Sequence, residues 1–139
     1  MKDLYNNIEA ISILDPITVS ATATYDDIDL QGFNSAVLLI HMGLDAALDG
    51  SNYYTFTLYD SADGTTYAVV ETADVLGAGT ITSGVILTVD STTEDNTLYK
   101  RGYVGGKRYL RLVVTETGTL SGPMTITLIK GDPEIAPVA

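Results

Sequence analysis

The 139-residue chain is expected to be all-β, an antiparallel β-sandwich of jelly-roll-like form with about eight strands. Three observations predict this. Several stretches alternate apolar and polar residues with period two, as a half-buried strand requires. Thr, Val, Ile and Tyr are abundant, whereas Lys, Glu and Gln are scarce. Gly, Asp, Asn and Ser punctuate the alternating stretches at short intervals, as closely spaced turns demand. The length suits one domain, and there is no repeat period and no second domain. The expected division is an N-terminal arm over 1–16, a sandwich over 17–131 and an extended tail over 132–139.

Residues 1–16 differ from the rest. Leu4, Ile8 and Ile11 lie at i, i+4 and i+7, a helical spacing, but Ile8, Ile11, Ile13 and Leu14 suit an extended arm equally, so a mobile or partner-dependent segment with one helical turn at most is expected before Pro16. The stretch is shorter than the ~12–15 residues an isolated helix needs. It is also too apolar for a free tail, so it is expected to pack on the sandwich or on another subunit. Residues 17–23 alternate, with Ile17, Val19, Ala21 and Ala23 on one face. Residues 26–32 read as a polar connection closed by Gly32. Residues 35–42 are a nearly continuous apolar run, expected as a central strand covered on both faces. Residues 43–51 read as a loop.

Residues 53–59 alternate again, with Tyr54, Phe56 and Leu58 on one face. The turn 60–64 has Asp and Ser to bond local backbone and Gly64 to supply positive φ, and 66–71 returns as its hairpin partner. Residues 85–89 are a further strand, followed by an acidic loop over 90–96. Residues 98–104 and 109–115 flank Gly105-Gly106, a dipeptide suited to a two-residue primed turn, so a hairpin is expected. Residues 124–130 form the last strand. Pro133 and Pro137 keep the following tail out of a sheet interior.

The chain carries 18 acidic and 7 basic residues, for a net charge of −11. Phosphate binding depends on Lys and Arg, so nucleic acid is not an expected partner. The bases are clustered: Lys100, Arg101, Lys107, Arg108 and Arg111 fall in one short stretch. Residues 1–95 hold 15 acids and the single base Lys2. The basic strip reads either as solvated strand ends or as a surface that docks on acidic partners, including copies of the same chain.

Catalysis has little material. There is no Cys, which excludes disulfides, thiolate metal sites and Cys nucleophiles and fits a reducing compartment. The single histidine, His41, sits in an apolar strand and reads as a packed residue. No Ser lies in a G-x-S-x-G elbow. The clusters Asp26, Asp27, Asp29 and Asp90, Glu94, Asp95 match no EF-hand loop and read as solvated carboxylates. The glycines of 102–106 do not lead from a strand into a helix, so a phosphate loop is not expected. The absence of Trp disfavours a sugar-stacking site, although nine Tyr are present. No catalytic residue, metal or cofactor is therefore expected. The apolar run 36–40 is far short of the ~20 residues that span a bilayer, and no secretory leader pattern opens the chain, so no membrane partner is expected.

Three stretches together carry a resemblance. They are residues 28–43 (IDLQGFNSAVLLIHMG), residues 58–67 (LYDSADGTTY) and residues 99–114 (YKRGYVGGKRYLRLVV), with the closing GDPEIAP of 131–137. In this order they resemble small structural proteins encoded in the head module of tailed bacteriophages, of the capsid decoration or cement kind. The segment Gly102-Tyr-Val-Gly-x-Lys-Arg-Tyr-x-Arg111 is its most specific part. The resemblance covers about residues 26–137. It implies a non-enzymatic virion protein that binds the major capsid protein, assembled in the host cytoplasm. It also implies a homo-oligomer, with a trimer expected from the three-fold positions of shell lattices. Leu4, Ile8 and Ile11 in the arm, with Lys100, Arg101, Lys107, Arg108 and Arg111, are the expected protein-binding residues. Two other functions suit the same sequence, a head–tail connector or tail component and a carbohydrate-binding module.

Overall fold

The computed structural model describes residues 3–136 and Val138. Ten strands follow one another: β1 (Ile8–Val19), β2 (Ala23–Asp29), β3 (Phe33–Met42), β4 (Tyr53–Ser61), β5 (Ala68–Val69), β6 (Val75–Leu76), β7 (Val85–Val89), β8 (Leu98–Tyr103), β9 (Tyr109–Thr117) and β10 (Gly122–Pro133). Two short 3₁₀ turns, Tyr5–Asn7 and Thr72–Asp74, complete the elements.

Setting aside the two-residue strands β5 and β6, the others pair as a long antiparallel ribbon. β1 meets β10, β2 meets β9, β3 meets β8, and β4 meets β7. The ribbon then wraps, so that β10 also meets β3 and β9 also meets β4. The result is two antiparallel sheets, β1-β10-β3-β8-β6 and β2-β9-β4-β5, with β7 sharing the edge of β4. This is the double-sheet jelly roll, and the expected all-β sandwich is what the chain forms. Its core is built from alternate residues of both inner faces. Leu38, Ile40, Ile126 and Leu128 come from the first sheet, and Phe56, Leu58, Leu110 and Leu112 from the second. Tyr54 links the layers. Its hydroxyl donates to Val19 O at 2.6 Å and accepts from Gly122 N–H at 2.9 Å.

Several elements differ from expectation. Within 1–16 the helical turn is a single 3₁₀ turn, and from Ile8 the chain takes the extended alternative, as an edge strand. Cross-strand pairing with β10 outweighs the helical spacing of Leu4, Ile8 and Ile11, which is too short to propagate. The strand expected over 17–23 is broken, because Ser20–Thr22 carries the chain from one sheet to the other. The polar stretch from Asp26 to Asp29 lies inside β2, where a bulge with Asp27 at φ 59° absorbs the mismatch. β3 is central, but it buries one face only: Ala36, Leu38, Ile40 and Met42 point inward, while His41 is exposed. The packed reading of His41 is thereby corrected.

The expected hairpin around Gly105-Gly106 is absent. β8 and β9 belong to different sheets and do not pair. Neither glycine adopts positive φ, which a primed turn requires at both positions. Gly105 serves close approach instead: a Cβ there would lie 2.5 Å from the Tyr103 hydroxyl. The Tyr103 ring folds over the crossover, its hydroxyl donating to Asp60 Oδ2 at 2.8 Å and accepting from Lys107 N–H at 3.2 Å.

Candidate functional site at the pole of the chain ends

The antiparallel pairing of β1 with β10 sets Ile8 opposite Gly131, so the beginning and end of the chain emerge at one pole of the sandwich. They are tied there by backbone bonds. Val138 N–H donates to Asn6 O at 2.9 Å, and Glu134 N–H donates to Gly32 O at 2.9 Å. Around these ends Tyr5 is 87% exposed, Ile135 83%, Leu4 66% and Val104 54%. A cleft of about 490 Å³ opens beside them, between the β2–β3 connection, the β8–β9 crossover and Glu134. Lys107 stands exposed on its rim.

The expected binding residues are thus partly gathered. Leu4, Ile8, Lys107 and Arg108 share this pole. Ile11 is half-buried opposite Leu128, on the inner side of β1. Lys100 lies on the outer face of the first sheet, opposite Leu39. Arg101 is turned along the edge between the sheets, donating from Nε to Ile86 O at 2.7 Å and from Nη1 to Lys100 O at 2.9 Å. Burial holds its guanidinium below the usual value.

Two of the arginines have acidic partners within the chain. Arg108 makes a two-bonded pair with Asp29, at 2.8 Å and 2.7 Å. The hydrogen bond from Arg108 holds the Asp29 carboxyl below its ordinary range, and the same bond raises the Arg108 guanidinium. Arg111 pairs with Asp26 and stacks on Tyr67 with 3.9 Å to the ring centroid. The bulge in β2 is what aims Asp26 and Asp29 at these bases.

Lys130, not among the expected binding residues, is a further charged group at this end of the sandwich. Its side chain is 8% exposed, and its Nζ lies 2.6 Å from Glu9, 3.3 Å from Asp29 O and 4.7 Å from the Phe33 ring centroid. Its signal was visible: Lys130 continues the inward parity of Met124, Ile126 and Leu128.

The other acidic cluster turns to backbone donors. Glu94 accepts from Asp90 N–H at 3.0 Å, and Asp95 from Asp45 N–H at 3.1 Å. Among the described residues, no group of three His, Cys, Asp or Glu side chains converges as a metal ion would need.

No family model and no curated protein matches the chain. Solved structures do. The SPBc2 prophage-derived protein YomS is similar over 89% of this chain and 92% of its own, with 10% identity and a TM-score of 0.57. That likeness shows the fold. A structure of Bacillus endospore appendages, described as disulfide-linked pili, aligns at a TM-score of 0.45 with 12% identity, over 96% of this chain and 97% of its own. A structure of infectious bursal disease virus strain Gx aligns at 0.41 with 14% identity, over 91% of this chain and 32% of its own. Scores this low carry no argument about function.

Proposed function

We propose that the chain is a non-enzymatic structural protein of a phage virion, one that decorates and stabilises the capsid by binding its major capsid protein. The observation that carries this reading is the pole itself. Leu4, Tyr5, Val104 and Ile135 are all more than half exposed and surround both chain ends. Apolar side chains gathered on a surface mark a contact site for another protein. The head-module sequence resemblance supports the same reading, as does a fold shared with a prophage-derived protein.

Removing residues 2–7 tests it, because the whole of β1 is retained. The shortened chain should unfold at nearly the same urea concentration as the full one but fail to bind particles in co-sedimentation. Quantitative mass spectrometry of purified virions should find the intact protein in shell-like abundance. A copy number matching a single ring would favour a connector instead. Full occupancy by the shortened chain would show that the pole is not the attachment site.

A further inference from the structure

The outer face of the first sheet is unlike the remainder of the surface. On its three central strands, β10, β3 and β8, the register places no Asp or Glu facing outward, in a chain that has 18. Val37, Leu39 and Ile129 lie half-buried there, and Leu98 is 57% exposed. Among the described residues, the one ammonium on this face is Lys100, which has no ion pair there. The dimensions are sufficient for an interface. Four strands about 4.8 Å apart, along the ten residues of β3 at about 3.4 Å each, cover roughly 650 Å². A standard interface buries about 800 Å² on each partner.

We propose that this face packs against the same face of a second copy, making a two-fold dimer whose axis runs along the strands. Copies with a net charge of −11 repel one another over most approaches, and a face whose three central strands carry no outward carboxylate is where they come together at least cost. Lys100 selects the axis. Lys100, Leu39, Thr127 and Ser12 form one row across β8, β3, β10 and β1. At the β1 end of that row, Ser12 Oγ donates to Asp15 Oδ1 at 2.6 Å.

An axis along the strands between β3 and β10 lays β8 of one copy over β1 of the other. Each Lys100 then approaches Asp15 of the partner subunit, and symmetry makes the contact twice. An axis across the strands would instead set the two Lys100 ammonium groups against each other. A flat face is self-complementary under a two-fold, whereas a three-fold ring would require it to meet a different surface. The dimer therefore departs from the trimer expected by resemblance, and it does not depend on the virion reading.

Sedimentation equilibrium of the full chain tests the dimer. The native protein should be dimeric at micromolar concentration. Lys100→Asp and Asp15→Lys should each weaken dimerisation by about tenfold or more, since each replaces two attractions with two repulsions. The double variant Lys100→Asp/Asp15→Lys should recover the native dissociation constant to within about threefold. Both side chains are exposed, so far-UV circular dichroism should be unchanged in all three variants. A native protein that is monomeric or trimeric at those concentrations overturns the proposal. Single variants that dimerise normally, or a double variant that does not recover, overturn it equally.

Discussion

Tyr54→Phe removes one oxygen atom and should cost the fold more than most single changes. Tyr54 is fully buried, and its hydroxyl bridges β4 to two strand ends of the opposite sheet. Without it, Val19 C=O and Gly122 N–H each lose a buried hydrogen bond, at about 1–2 kcal/mol apiece. Phe keeps the ring, so little cavity cost is added. The expected loss is about 2–4 kcal/mol, a large share of the ~5–15 kcal/mol typical of a domain. Urea unfolding followed by far-UV circular dichroism should show the midpoint falling by about 1–2 M with an unchanged slope, for a slope near 2 kcal/mol per M. Tyr5→Phe, at a residue 87% exposed, should leave the midpoint in place. A Tyr54→Phe midpoint within about 0.3 M of native would refute the claim that this hydroxyl holds the layers together.

Alkaline pH should weaken the fold through the same residue. Burial pushes the Tyr54 hydroxyl up to about 12, and burial raises Tyr103 in the same direction. An unfolded tyrosine ionises near ~10, so above that pH the unfolded chain has released protons that the folded chain retains. Urea midpoints should therefore fall as pH rises from about 10 towards 12, and Tyr54→Phe should remove part of that slope. At the acid end, backbone N–H groups of Thr66 and Thr65 hold the exposed Asp63 carboxyl down at about 2. Its support of the 61–66 turn is present above its ordinary value of 3.8 and is lost as pH falls through about 2, and an NMR titration of Asp63 should give that lower midpoint. Gly105→Ala should lower stability by about 1–3 kcal/mol by thermal unfolding, because the new methyl meets the Tyr103 hydroxyl. Gly106→Ala, with nothing within 4 Å of its Cβ, should be far milder.

The strands legible in the sequence were those whose alternation coincides with one buried face. β4 is an example: Tyr54, Phe56 and Leu58 are fully buried, as their spacing predicts. β10 was legible for the same reason. What alternation cannot encode is which sheet a strand joins. Residues 17–23 keep perfect period two across a sheet-to-sheet crossing at Ser20–Thr22, because both flanking strands happen to share the parity. Gly105-Gly106 carries every local mark of a hairpin. Its neighbours nevertheless find better partners, since β8 and β9 each bond to two other strands that arrive from far along the chain. Long-range pairing of this kind decides a jelly roll, and no short window contains it.

The charged residues show the same limit from the other side. Clustering along the chain made the bases from Lys100 to Arg111 look like one surface, but alternation and the crossover distribute them over two sheets and a pole. Asp26 and Asp29, read as a solvated loop, are held by the β2 bulge beside Arg111 and Arg108. Those pairs supply within one chain acidic partners that a docking surface was expected to find on another. Three of the five bases, Lys100, Arg101 and Lys107, then remain without an ion pair among the described residues, and Arg101 is turned to backbone carbonyls. The two lysines stand on separate surfaces, Lys100 on a sheet face whose three central strands present no outward carboxylate and Lys107 at the pole of exposed apolar residues. An acidic chain that keeps a free ammonium on each of two such surfaces can use one for its own copies and the other for a different protein, as binding both at once requires.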